Sequence, residues 1–122
     1  MGNFIYHNEN PENDRVNDCV TRAITFVSGL DYSTVRKMLF HSSRLMQCAK
    51  LSCNCYSWLL ENVLHYKPID CFGLTVGEFA KKLPYGTYLV RVPSHLTAVK
   101  DGKIYDTFDC GDDICDIAWC VK

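Results

Sequence analysis

Apolar side chains in the first two thirds of the chain recur at helical spacing. After Cys19 they fall at positions i, i+3, i+4 and i+7, beginning with Val20, which is one face of an α-helix. Gly29 then supplies the left-handed residue with which many helices end. Asn17 and Asp18 are both suitable N-cap residues, so the predicted helix begins at Cys19 or next to it.

Three further helices are predicted between residues 33 and 84. Ser33 can cap the second helix, and the third follows a cysteine-rich connector. The fourth begins with a capping box formed by Thr75 and Glu78, and it ends by Pro84. The apolar positions of the second and third helices are Val35, Met38, Leu39, Leu45, Met46, Tyr56, Leu59, Leu60 and Val63.

The apolar period changes to two near residue 87. Residues 87–92 predict a strand, and residues 95–109 predict two strands joined by Asp101-Gly102, a dipeptide typical of a two-residue hairpin turn. Residues 116–122 predict a last strand. A short strand is also expected near the N-terminus, at residues 4–6.

These elements predict one α+β domain over residues 1–122. A helical part at about residues 18–84 is expected to pack on an antiparallel sheet at about residues 85–122. The length of 122 residues and the hydrophobic content of 48% suit a single core.

The charge balance excludes several classes of partner. A formal net charge of -1 gives no electrostatic reason to expect binding to nucleic acid or to an anionic membrane.

No apolar run approaches the roughly 20 residues of a membrane span, and the first residues lack the pattern of a secretory signal. We therefore expect a cytoplasmic protein without nucleic-acid or membrane partners.

Eight cysteines are many for a reducing compartment, and they suggest either disulfides or metal. Since no export signal is present, we expect mostly reduced, partly buried thiols. Two cysteine groups have enough ligands for zinc but lack the usual repeated pair, so we expect no metal and no cofactor. An acidic run over residues 109–116 is expected to be a solvated loop, with calcium as the open alternative. The two cysteine groups are Cys48, Cys53 and Cys55 with His41 or Cys71, and Cys110, Cys115 and Cys120.

The predicted hairpin places a histidine beside a carboxylate. A two-residue turn pairs Ala98 with Tyr105 and Thr97 with Asp106. His95 then shares a face with Asp106 and is its diagonal neighbour at roughly 7 Å, a separation that two converging side chains can close.

A cysteine at the start of a helix completes this pattern. The helix N-terminus and a nearby imidazolium lower the pKa of a thiol, and the resulting thiolate can attack a carbonyl carbon. A carboxylate on the second ring nitrogen holds the histidine in the required tautomer. Cys19, His95 and Asp106 are therefore the candidate nucleophile, general base and acid, and orienting carboxylate.

The segments NDCVTRAI and SHLTAVKDGKIYD, with the helical segment between them, resemble the papain-like cysteine peptidase superfamily, especially its compact bacterial and phage-borne members. The resemblance implies a nucleophile that begins the central helix of a helical lobe, and a sheet that carries the histidine and its partner. It assigns these roles to Cys19, His95 and Asp106. The superfamily's oxyanion-hole glutamine, six residues before the cysteine, is replaced here by Asn13, so Asn13 or Asn17 is the candidate donor beside the Cys19 backbone N–H.

The resemblance implies an enzyme that acts on a peptide or protein substrate. We expect a cysteine hydrolase, which is a peptidase, isopeptidase or amidase, working through an acyl-enzyme; acyl transfer to an amine would use the same residues. The alternative is a catalytically weak or inactive papain-like scaffold that binds a host or phage protein. The shorter amide at Asn13 and the small size of the chain favour this alternative.

Overall fold

The computed structural model describes residues 3–11, 18–48, 53–71 and 73–121, which form a mixed α+β fold. The helices in these ranges are α1 (Cys19–Ser28), α2 (Tyr32–Met46), α3 (Cys53–Trp58), which continues as a π-helical turn over Leu59–Val63, and α4 (Val76–Lys82). The strands are β1 (Phe4–Tyr6), β2 (Lys67–Ile69), β3 (Thr87–Val92), β4 (His95–Lys100), β5 (Lys103–Asp106) and β6 (Ile117–Cys120).

The helix that begins at Cys19 has the predicted bounds. Gly29 ends α1 in the left-handed region with φ 73°, and its N–H donates to the Thr25 carbonyl. The start of α2 differs from the prediction, because Asp31 occupies the N-cap position and Ser33 lies inside the helix. Both residues are good caps, and only the backbone conformation distinguishes between them.

The predicted fourth helix is confirmed by its cap. The Glu78 backbone N–H donates to the Thr75 hydroxyl at 3.2 Å, and the Thr75 N–H donates to the Glu78 carboxylate at 2.9 Å. Phe79 is buried in a hydrophobic cluster, and Leu74, the residue before the N-cap Thr75, packs against this cluster. The predicted third helix is α-helical only to Trp58, after which the π-helical turn begins.

The six described strands form one sheet in the order β1-β5-β4-β3-β6-β2. The predicted register of the β4–β5 hairpin is confirmed, since Ala98 pairs with Tyr105 and Lys100 with Lys103. Two features correct the expected antiparallel C-terminal sheet. β1 pairs in parallel with β5, and β2 adds an edge strand next to β6. β2 has only three residues and contains Pro68, so it carries no alternating signal in the sequence.

Helices cover both faces of the sheet. On one face, α1, α2 and α3 pack on a cluster that includes Leu89, Leu96 and Trp119. On the other face, α4 packs on a cluster that includes Val90 and Ile104. The helical part therefore packs on the sheet as expected, but it is divided between the two faces, with α1 to α3 on one and α4 on the other. No helix in the described ranges is long and apolar enough to cross a membrane.

Four cysteines form two disulfides, which corrects the expectation of reduced thiols. Cys48 bonds to Cys55 and Cys71 bonds to Cys115, with Cα–Cα distances of 6.0 and 5.9 Å. Both zinc groups considered from the sequence lose members to these bonds. The free cysteines in the described ranges are Cys19, Cys53, Cys110 and Cys120.

Candidate active site

Cys19 is the first residue of α1, and apolar packing fixes its position over the sheet. Val20 and Ile24 bury one face of α1 against a cluster that contains Leu96 and Ala98 of β4. This packing brings the start of α1 to the start of β4, where His95 lies. The first backbone N–H groups of a helix have no acceptor within the helix, and together with the helix dipole they favour negative charge.

His95 and Asp106 meet across the hairpin as the strand parity predicts. His95 is the first residue of β4, and its Nε2 lies 2.6 Å from the Asp106 Oδ2. Their side chains are only 10% and 5% exposed, so the pair is largely shielded from solvent. The Thr107 backbone N–H donates to the other carboxylate oxygen of Asp106 at 2.7 Å. The carboxylate is thereby held on both oxygens.

The Cys19 thiol lies beside the His95 ring, and the two side chains line the same cleft, so the three candidate residues meet at one place. Asp106 occupies Nε2 of this ring, and we infer from this that Nδ1 is the atom that faces the Cys19 thiol. Burial raises the pKa of Cys19, but hydrogen bonds with His95 and with the Leu96 backbone, together with the His95 charge, lower this pKa overall.

The pKa values of His95 and Asp106 shift in opposite directions. Burial lowers the pKa of His95, but hydrogen bonds with Asp106, Cys110 and Cys19 outweigh it and raise this pKa to about 11. Burial raises the pKa of Asp106, but the hydrogen bond with His95 and the His95 charge lower it overall. The arrangement therefore favours a Cys19 thiolate beside a His95 imidazolium and an ionised Asp106.

A largely buried polar network links the start of α1 to these three candidate residues. Arg22 forms an ion pair with Asp18 one helical turn before it, and its Nη2 lies 3.8 Å from the Asp106 Oδ1. The Tyr32 hydroxyl donates to the Asp18 carboxylate at 2.6 Å. Sequence reasoning missed Arg22, although the Asp18-to-Arg22 spacing of i,i+4 is a recognisable signal for a helical ion pair.

A small cleft opens beside the Cys19 sulfur. Its volume is about 120 Å³, and it lies between the start of α1, the helix α3 and the β3–β4 turn. Because these elements are far apart along the chain, no local pattern in the sequence indicated the cleft. The cleft is lined by Cys19, Val20, Cys53, Tyr56, Arg91, Ser94 and His95.

The two candidate oxyanion-hole residues, Asn13 and Asn17, lie outside the described residues. Within the described part, the start of α1 offers backbone N–H groups for this purpose. Asp18 occupies the N-cap position without making a side-chain capping hydrogen bond. Its carboxylate is engaged by Arg22 and Tyr32 instead. The helix start is thus not closed by its own cap residue.

A second free thiol lies next to the His95–Asp106 pair. Cys110 is 2% exposed and follows β5 in the loop that leads to β6. His95, Asp106 and Cys110 each offer one possible metal-ligand atom, and these three atoms lie within 4.8 Å of one another. Sequence reasoning grouped Cys110 with Cys115 and Cys120, because distance along the chain was the only guide.

No family model, curated protein or solved structure matches this chain. The resemblance to papain-like peptidases therefore rests on the residues of this chain alone.

Proposed function

We propose that this protein is a papain-like cysteine hydrolase that cleaves an amide or isopeptide bond in a peptide or protein substrate. The observation that carries the proposal is the convergence of three groups: the His95 ring hydrogen-bonds with Asp106 at 2.6 Å, and the Cys19 thiol lies beside the same ring at the start of α1. The first residue of a helix, the start of a strand and the end of the next strand supply these three groups. Their arrangement matches the nucleophile, base and orienter of a thiol hydrolase.

The first half of the reaction forms an acyl-enzyme. The Cys19 thiolate attacks the carbonyl carbon, and the negative charge moves to the carbonyl oxygen, toward the N–H groups at the start of α1. The C–N bond then breaks as His95 donates its Nδ1 proton to the leaving amine. The products of this half are a thioester on Cys19, a free amine and a neutral imidazole.

The second half releases the acyl group. Neutral His95 accepts a proton from water, and the resulting hydroxide adds to the thioester carbonyl. The C–S bond breaks, the carboxylic acid leaves, and Cys19 returns as a thiolate beside a His95 imidazolium. Asp106 keeps Nε2 protonated throughout, so Nδ1 is the atom that exchanges protons.

Peptide turnover by matched variants tests this proposal. Wild-type protein is incubated with a proteome-derived peptide mixture, and new termini are identified by mass spectrometry. Cys19→Ala and His95→Gln are expected to lower turnover by at least about 10³-fold. Cys120→Ser removes a free thiol on β6 and serves as the matched control. Cleavage by Cys19→Ala at the wild-type rate would refute the proposal.

The second candidate function is a catalytically inactive scaffold that binds another protein. The observation that favours it is the small cleft at Cys19, whose volume of about 120 Å³ leaves little room for an extended substrate. Brief treatment with limiting iodoacetamide near pH 6, well below the ordinary pKa of a thiol, separates the two candidates. Labelling of Cys19 ahead of the other free cysteines favours the hydrolase, whereas slow and uniform labelling favours the scaffold.

A further inference from the structure

Cys110 has no role in the proposed reaction, although it contacts the histidine on which that reaction depends. Its thiol lies within 4.8 Å of a possible ligand atom of His95, and Cys110 is 2% exposed. The possible ligand atoms of His95, Asp106 and Cys110 lie within 4.8 Å of one another, and no other such group of three is found among the described residues. A nitrogen, an oxygen and a sulfur donor therefore converge on one point.

We propose that His95, Asp106 and Cys110 form a zinc-binding site and that bound Zn²⁺ reversibly blocks the hydrolase. Imidazole, carboxylate and thiolate are the three ligand types that zinc prefers in proteins, and three protein ligands leave the fourth tetrahedral position to water. The blocking effect rests on the proposed function, whereas the binding site does not.

The geometry requires only small movements. Zinc bonds of about 2.0 Å to nitrogen and oxygen and about 2.3 Å to sulfur place tetrahedral nitrogen and oxygen donors about 3.3 Å apart and the sulfur about 3.5 Å from each. The His95 Nε2 and Asp106 Oδ2, now 2.6 Å apart, have to separate by roughly 0.7 Å. Cys110 lies in the stretch 107–113, where the backbone forms turns and bends. A short adjustment of this loop can bring the sulfur to its bonding distance.

The charges and protons balance on metal binding. Before binding, a His95 imidazolium, an Asp106 carboxylate and a neutral Cys110 thiol sum to zero. Zn²⁺ displaces the Nε2 proton and the Cys110 proton, and both leave to solvent. The loaded site holds Zn²⁺, a neutral imidazole, a carboxylate and a thiolate, which again sum to zero. The buried cluster gains no net charge, which keeps the cost of burial low.

Metal at Nε2 removes the catalytic function of the ring. The imidazole keeps a single proton on Nδ1, the atom that faces Cys19, and it cannot accept a second proton while Nε2 is bound to zinc. His95 then cannot act as the general base for water. Asp106 is drawn to the metal and no longer orients the ring. Release of zinc restores both roles, so the block is reversible.

Metal binding is tested first and without reference to activity. Purified protein is titrated with Co²⁺ as a spectroscopic substitute for Zn²⁺, and zinc content after dialysis is measured by elemental analysis. Wild type is expected to bind about one equivalent with a thiolate-to-cobalt absorption band. Cys110→Ser and Cys110→Ala are expected to lose the band and to bind at least about 10-fold more weakly. Cys120→Ser and Cys19→Ala should retain it.

A band that survives both Cys110 substitutions, or one that is lost with Cys19→Ala, overturns the proposed site. X-ray absorption spectroscopy of zinc-loaded wild type needs no substitution and covers the case in which the variants do not fold. It should show one sulfur ligand, with nitrogen and oxygen ligands in the remaining positions. A zinc spectrum with two sulfur ligands, or with none, also overturns the site.

The blocking effect is tested by adding Zn²⁺ during peptide turnover. Each variant is compared with its own rate in the absence of metal. Cys110→Ser is expected to need at least about 10-fold more zinc for half inhibition than wild type or Cys120→Ser. Equal zinc sensitivity refutes the block. If the protein shows no turnover at all, the hydrolase proposal fails, while the cobalt and absorption measurements still decide whether the zinc site exists.

Discussion

At Cys19, burial is the largest influence on the thiol, and it acts against ionisation. The net lowering of its pKa therefore depends on the partners that contact the sulfur, above all the His95 ring. His95 in turn has its pKa raised to about 11 against its own burial, because Asp106 and both neighbouring thiols hydrogen-bond with it. At a pH between the pKa of Cys19 and the pKa of His95, the Cys19 thiolate and the His95 imidazolium coexist. This is the ionic state that attacks a carbonyl carbon.

The pH profile of Cys19 alkylation tests this residue-scale account. Because the folded pKa of Cys19 is lowered from its ordinary value of 9.0, its reaction with iodoacetamide should persist at pH values where ordinary thiols are protonated. In His95→Gln the alkylation profile should move to higher pH, toward the profile of a small thiol compound measured in parallel. The rate is followed by peptide mass mapping. An unchanged profile in His95→Gln would show that the ring does not activate Cys19.

The positions of the three candidate residues, Cys19, His95 and Asp106, were predictable because each depends on a local pattern. Cys19 is marked by the onset of helical periodicity, and His95 and Asp106 are related by the register of one two-residue hairpin. Cys110 was assigned to a different group, because its approach to His95 depends on the path of a loop. Loop paths follow tertiary packing rather than a repeat in the sequence.

At the level of elements, short-range hydrogen bonds fix the start of α4. In α4 the side chain of Thr75 and the side chain of Glu78 each accept from the other's backbone N–H. This helix has only seven residues, so its terminal hydrogen bonds are a large fraction of its total. Phe79 of the same helix is buried against the sheet face that carries Ile104.

Replacing Thr75 by alanine tests the cap. Thr75→Ala is expected to lower the free energy of unfolding by about 1 kcal/mol, because the Glu78 N–H loses its acceptor. Urea unfolding followed by circular dichroism measures the change. Thr34→Ala, at an exposed position in α2, is the matched control and should change stability by less than about 0.5 kcal/mol. Equal effects of the two substitutions would contradict the capping argument.

A second element-scale prediction concerns the connection between α1 and β5. Arg22 is 11% exposed and lies between two buried carboxylates, those of Asp18 and Asp106. Arg22→Met leaves both carboxylates without this cation, so we expect a loss of about 3 kcal/mol in urea unfolding. The exposed position Arg36 provides the control, since Arg36→Met should cost no more than about 0.5 kcal/mol. A near-neutral Arg22→Met would mean that the network contributes nothing to stability.

For the whole molecule, the sheet is completed by segments from distant parts of the chain. β1 joins β5 in parallel and β2 joins β6, so both edges come from outside the C-terminal third. The disulfides close loops of very different length, with sequence separations of 44 and 7 residues. A cytoplasmic location stays a prediction, and the two disulfides weigh against it, because such bonds persist mainly in oxidising compartments.

Removal of each disulfide is expected to have an effect that follows its loop length. In the chain-entropy model, loss of the Cys71–Cys115 bond costs about 4 kcal/mol and loss of the Cys48–Cys55 bond about 2.5 kcal/mol. The double alanine variants at the two pairs, compared under oxidising conditions by urea unfolding, measure the difference of about 1.5 kcal/mol. A larger loss from the short loop would show that native packing, rather than chain entropy, dominates.

The amino-acid sequence alone determined three features: the helix that starts at Cys19, the cap at Thr75 and the register of the β4–β5 hairpin. Each of them is set by hydrogen bonds or side-chain periodicity within a few residues. Four other features were determined only by the tertiary structure: the mixed sheet, the disulfide partners, the cleft at Cys19 and the position of Cys110 beside His95. Each of these joins residues that are far apart along the sequence, and such neighbours are selected by the burial of whole faces against one another.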